Sequence, residues 1–163
     1  MGHFYFVRHG QTIWNVEGKI CGATDIALTQ LGHEQAIETG KKILEEKIHA
    51  DEILYSPLMR AADTAKHISG ITGIPAREEL RLKEQNFGIW ESTPRGGEDF
   101  KKAKQSFACS YEGGESMLRL AQRIYNLLDE IKDKSDEKTY ILVAHNGIAR
   151  AVSYTHLRAH ETR

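Results

Sequence analysis

Two short apolar strands, each ending in a histidine, constrain this chain more than any other feature. Phe4-Tyr5-Phe6-Val7 is an aromatic and β-branched run, long enough for one buried strand of a parallel sheet. It turns abruptly polar at Arg8, His9 and Gly10. Tyr140-Ile141-Leu142-Val143-Ala144 repeats the design and runs into His145-Asn146-Gly147. Ligands of open α/β sheets bind just beyond the carboxyl ends of the strands, so both histidines fall where a site is expected. A lone strand-end histidine is more often structural than catalytic. Two on one rim, one of them beside an arginine, point to chemistry.

Between these strands the pattern alternates. Thr29 is a plausible N-cap for a helix reaching about Lys47, with Leu31, Ile37, Gly40, Leu44 and Ile48 on its buried face. A short strand, Glu52 to Tyr55, is stopped by Ser56-Pro57, which opens a helix to about Thr72 with Arg60 in its first turn. Ala76 to Leu80 reads as a third strand, and Lys83 to Gly114 as irregular, with a Thr93-Pro94-Arg95-Gly96-Gly97 turn and a short charged helix near Asp99 to Lys104. Ser116 caps a helix whose Met117, Leu120, Ala121, Ile124, Leu127, Leu128 and Ile131 follow helical spacing, a core stripe with no functional role. Another helix begins near Gly147. Strands alternating with helices imply a three-layer α/β/α fold with a mostly parallel sheet and right-handed crossovers.

The 163 residues suffice for one domain with its own core. A net charge of -1 leaves no basic stripe for nucleic acid and no polybasic membrane patch. No apolar run is long enough to span a bilayer and no secretory signal opens the chain, so a cytoplasmic protein is expected. Cys21 and Cys109 form no CxxC and read as free thiols.

The topology gathers Arg8, His9, Asn15, Arg60, Glu84 and His145 at the strand ends. Two arginines converging on one rim call for a dianion, because guanidinium forks match phosphate oxygens and stay charged. Two histidines without cysteine or clustered aspartates make a poor metal site, so no metal or other cofactor is expected. Each residue has a bland reading: Arg60 as a surface residue, Glu84 as an exposed ion pair with Lys83, Asn15 as a turn former, Trp14 and Trp90 as packing, Glu91 as structural. Taken together, they favour metal-free phosphoryl chemistry with a histidine nucleophile.

Five motifs then stand in order: RHGQT-x-WN at Arg8 to Asn15, SPLMRAADTA at Ser56 to Ala65, LKEQNFGIWE at Leu82 to Glu91, EGGES at Glu112 to Ser116 and VAHNG at Val143 to Gly147. Together they resemble the histidine phosphatase superfamily, the phosphoglycerate-mutase-like group, over residues 3 to about 151. The resemblance implies that His9 takes the phosphoryl group as phosphohistidine, its other ring nitrogen held by a backbone carbonyl. Cations at Arg8 and Arg60 would hold its pKa down. It further implies that Arg8, Asn15, Arg60 and His145 bind the phosphoryl oxygens, with Asn146 and the backbone N–H groups after His145 adding to the cradle. Glu84 would protonate the leaving oxygen and then activate water, its pKa raised by the substrate's charge.

The short segment after Glu84 and the FGIWE pattern resemble the phosphatase branch, which usually has glycine where this chain has Ser92. The expected function is therefore hydrolysis of a small phosphorylated metabolite, with a homodimer left open. Phosphoglycerate-mutase-type transfer, α-ribazole phosphatase activity and a phosphate-binding module without turnover are the alternatives. Beyond Val152 the apolar pattern collapses, and VSYTHLRAHET resembles a translated sequencing adapter. The expectation is a domain over residues 1–151, a non-native tail over 152–163 and the family's last strands missing. Phe4 to Val7 would then be an unpaired sheet edge, and an inactive fragment becomes a further alternative.

Overall fold

The computed structural model describes residues 4–134, 138–153 and 160–161. Among these residues, five strands form one parallel sheet: β1 (Phe4–Arg8), β2 (Glu52–Tyr55), β3 (Ala76–Glu78), β4 (Tyr140–Ala144) and β5 (His160–Glu161), in the order β3-β2-β4-β1-β5. Six helices accompany it: α1 (Ile13–Val16), α2 (Gln30–Glu45), α3 (Met59–Thr72), α4 (Glu98–Ala103), α5 (Met117–Lys134) and α6 (Asn146–Ser153). The three-layer α/β/α expectation holds.

Strand periodicity sorts the two helical layers. All five residues of β4 are buried, which requires apolar cover on both faces. Leu142 and Ala144 join Phe6 and Leu54 on one face, packed against Leu120, Ile124 and Leu127 of α5 and Ile148 of α6. Ile141 and Val143 join Val7 and Ile53 on the other, against Ile43 of α2 and Ala61, Ala65 and Ile68 of α3. The whole predicted stripe of α5 is buried, and the Ser116 hydroxyl caps it by accepting from the Arg119 N–H at 3.1 Å.

Four expectations are corrected. The buried face of α2 is Gly32, Ala36, Gly40 and Ile43, while Leu31 and Leu44 are half exposed. Small residues let α2 lie close to α3, with Gly40 against Ile68 and Ile71, so close packing overrides the larger apolar residues. Helix α3 starts at Met59, two residues beyond Pro57, and β3 ends at Glu78. Nor is β1 unpaired: Tyr5 and Phe6 register with His160 and Glu161 of β5. Of the stretch from residue 152 onward, Val152 and Ser153 continue α6, and 154–159 and 162–163 lie outside the described residues.

Ser92 adopts φ +67°, the left-handed region that favours glycine. The backbone here favours glycine, and the chain meets it with serine. Ser92→Gly is expected to raise stability by up to about 1 kcal/mol by relieving this strain. Leu142→Ala, which opens a cavity between β4 and α5, is expected to lower it by about 2–5 kcal/mol. Urea unfolding followed by circular dichroism reads both.

Candidate active site

Strand register builds the site. Arg8 lies opposite Ala144 and Tyr55 opposite Val143, so the next residues along three adjacent strands are His9, His145 and Ser56. The His9 and His145 ring centroids stand 5.1 Å apart. His9 Nδ1 lies 2.7 Å from the Gly10 carbonyl, which holds the proton on Nδ1 and leaves Nε2 with its lone pair. Arg60 Nε–H reaches that lone pair at 3.3 Å. Burial first, then the Arg60 charge, pushes the His9 pKa down to about 3, so the ring is neutral across the physiological range. Arg8 and Arg95 add less. Backbone packing fixes the turn: a Cβ on Gly10 would collide with the Gly32 carbonyl of α2.

Arg60 is almost wholly buried. Its Nη1 and Nη2 donate to the carbonyls of Thr24 (2.8 Å) and Gly22 (2.6 Å). The loop that carries those carbonyls is held by Glu91, whose carboxylate accepts from the N–H groups of Gly22 (2.9 Å) and Ala23 (2.7 Å) and from the Thr24 hydroxyl (3.1 Å). Glu91 therefore acts on the site through Arg60. The sequence reading of Glu91 as structural is correct for its contacts and incomplete for their effect.

His145 is fully buried, and burial first holds its pKa well below the ordinary value. The Ser56 hydroxyl accepts from the Leu58 N–H at 3.3 Å and lies 2.7 Å from His145 Nε2. The arrangement that satisfies both groups has Ser56 donating to Nε2, which leaves the ring proton on Nδ1. Nδ1 has no partner, an orphaned buried donor suited to an anionic oxygen.

Glu84 is buried and makes no exposed pair with Lys83. Its oxygens accept from the N–H groups of Gln85 (2.8 Å) and Gly147 (3.1 Å), the latter in the first turn of α6. Burial raises its pKa despite these bonds, so the cause is present before any substrate arrives. Arg123 of α5 pins the segment: it is bidentate to Glu115 at 2.9 Å and donates to the carbonyls of Arg81 (2.6 Å) and Glu84 (3.3 Å). One expectation is corrected here. The Gly147 N–H, counted among the cradle donors, is engaged by Glu84.

A pocket of about 330 Å³ collects Arg8, His9, Asn15, Arg60, Glu84 and Asn146. The His145 ring packs against that of His9. The Asn15 carbonyl oxygen accepts from the Thr12 N–H at 2.9 Å, so its amide nitrogen is the end that can meet a ligand. A larger groove of about 810 Å³ between α2 and α6 also touches Arg8 and His9 but lacks Arg60 and Glu84. Among the described residues, no group of three or more His, Cys, Asp or Glu could hold a metal ion, and no helix is long and apolar enough to cross a membrane. Sequence reasoning missed Ser56 and Arg123, and also Arg95, Lys104 and Arg150, which line the same pocket. Ser56 sat inside a quoted motif; the other four carried no local signal.

The family model of the histidine phosphatase superfamily (branch 1) matches residues 4–163. The chain belongs to that superfamily. It is 30% identical over 164 residues to a 2,3-bisphosphoglycerate-dependent phosphoglycerate mutase of Chelativorans sp. (strain BNC1), covering 93% of this chain and 80% of the mutase. The structure of a mycobacterial glucosyl-3-phosphoglycerate phosphatase in complex with VO3 has a TM-score of 0.84 at 28% identity, covering 95% of this chain and 80% of that one. A crystal structure of a Thermus thermophilus protein has a TM-score of 0.73 at 30% identity, covering 91% of this chain and 81% of that one. These relatives include a mutase and a phosphatase.

Arg60→Ala is expected to weaken inorganic phosphate binding by roughly 10- to 100-fold, the weight of one or two charge-assisted hydrogen bonds. Glu91→Ala should act in the same direction and by less, through the loosened Gly22–Thr24 loop. Calorimetric titration with phosphate reads both, and unchanged affinity in Glu91→Ala would contradict the coupling.

Proposed function

We propose that this chain is a phosphomonoester hydrolase that acts on a small phosphorylated metabolite through a phosphohistidine at His9. The observation that carries the reading is the state of His9: a neutral ring, its proton held on Nδ1 by Gly10, its Nε2 facing the buried Arg60 guanidinium. Nε2 attacks phosphorus, the P–O bond to the leaving group breaks, and Glu84 delivers a proton to the departing oxygen. Water then attacks phosphorus, Glu84 takes its proton, and His9 Nε2 leaves with its lone pair restored. Arg8, Arg60, Asn15 and the Nδ1–H of His145 bind the three phosphoryl oxygens, in a clamp strongest on the charge that develops during transfer. Asn146, at the mouth of the pocket, is a further contact.

A second reading, phosphoryl return to another oxygen of the substrate, is favoured by the mutase among the relatives. Release of inorganic phosphate separates the two. Wild-type protein should hydrolyse p-nitrophenyl phosphate in EDTA, and His9→Ala should not. Activity surviving in His9→Ala would sink the mechanism.

The pH profile follows from the two perturbed groups. His9 must be unprotonated, and with its pKa at about 3 the acid limb of kcat/KM lies far below an ordinary imidazole. Glu84 must be protonated to expel an alkoxide, so kcat/KM for an alkyl phosphate falls as pH rises through its raised pKa, above the usual carboxylate range. Glu84→Gln should abolish that alkaline limb. It should also give a burst of p-nitrophenol with slow turnover, because this leaving group needs little acid help while dephosphorylation still needs a base.

A further inference from the structure

Among the described residues that line the pocket, Glu84 is the single acid. A leaving-group acid works only where its proton meets the departing oxygen, so its position has to be held. Yet residues 84–87 belong to no helix or strand, and no ladder of backbone bonds places them. What holds them is the segment 112–116 that leads into α5. The buried Gln85 side chain donates through Nε2 to the Glu115 carbonyl at 3.0 Å. The Glu115 N–H donates to the Asn86 carbonyl at 2.7 Å, and the Ile89 N–H to the Glu112 carbonyl at 3.0 Å. A Cβ on Gly88 or on Gly114 would strike the backbone of the other segment, so the two run in direct contact.

Arg123, in the second turn of α5, closes this arrangement. Its Nε and Nη2 meet the two Glu115 carboxylate oxygens, each at 2.9 Å. Its Nη1 donates to the Arg81 carbonyl at 2.6 Å, and its Nη2 donates to the carbonyl of Glu84 itself at 3.3 Å. The backbone of the acid therefore hangs from a guanidinium whose plane is fixed by a bidentate carboxylate. Both side chains of the pair are largely buried, and neither lines the pocket. Their contacts run to the Glu84 segment and away from where a substrate would sit.

We propose that Glu115 and Arg123 are positioning residues for Glu84: the ion pair sets where the Glu84 carboxyl stands and so controls proton delivery to the leaving oxygen. The assignment rests on the reading of Glu84 as the leaving-group acid. A residue that acts only through this proton transfer has a selective effect. Its loss falls on substrates that must expel an alkoxide and spares those whose leaving group needs little acid help.

Two substrates of similar size test this through kcat/KM, benzyl phosphate with an alkoxide leaving group and p-nitrophenyl phosphate with a good one. Arg123→Gln should lower kcat/KM for benzyl phosphate by about 10- to 100-fold and for p-nitrophenyl phosphate by less than about threefold. Glu115→Gln keeps the shape of its side chain, serves should Arg123→Gln not fold, and should act in the same direction by less. Arg123 is also a cation that favours the ionised Glu84 carboxyl, so in Arg123→Gln the alkaline limb with benzyl phosphate should move to higher pH. Equal losses on the two substrates, no loss on either, or a limb that stays in place would overturn the proposal. Glu84→Gln separates this failure from that of the acid itself. If Glu84→Gln costs both substrates alike, the acid assignment fails and the proposal with it. If Glu84→Gln is selective and the other two variants are not, the positioning role alone fails.

Discussion

A guanidinium buried beneath the site is the interaction on which the rest depends. Arg60 is among the most buried large side chains in the molecule, yet its hydrogen bonds go to two carbonyls and an imidazole nitrogen. A cation so placed is costly unless its donors are fully engaged and an anion comes within reach. The nearest acid in the pocket, Glu84, is itself held towards its neutral form by burial. In the function proposed above, the charge that balances Arg60 is the substrate's phosphoryl group, and the buried cation is the means of recognising it.

The shell around Arg60 is built to keep it there. Glu91 fixes the loop whose carbonyls receive the guanidinium, and the Thr64 hydroxyl donates to the Arg60 carbonyl at 2.7 Å while accepting from the Gly10 N–H at 3.3 Å. One helical turn of α3 thus carries the cation and steadies the turn beside His9. Glu84 is held in a parallel way by Arg123, from the opposite layer of the fold. Acid and cation are supported by different helices, α5 and α3, which lie on opposite faces of the sheet. The sheet sets their separation, and close-packed interiors transmit such positions with little slack.

Much of this was legible in order along the chain. The strand-end histidines, the proline-stopped strand before Arg60 and the glutamate after Leu82 each sit in a local pattern that short-range physics explains. Leu31 and Leu44 misled, because apolar size is a poor guide where two helices approach through glycine and alanine. Glu91 was undervalued for a related reason. Its partners Gly22, Ala23 and Thr24 lie far away in sequence, and nothing in local composition marks a carboxylate that organises a distant loop.

The sequence by itself determined the layer order and the candidate nucleophile, leaving-group acid and phosphate-binding residues, since strand periodicity, turn residues and motif spacing are local properties. Only the tertiary structure decided the protonation of His9 and His145, the burial that raises Glu84, and the meeting of Arg95, Lys104 and Arg150 around one pocket. Protonation depends on which carbonyl or hydroxyl faces each ring nitrogen, and desolvation depends on what packs above a side chain. Both arise between segments distant in the chain, where no local pattern records them.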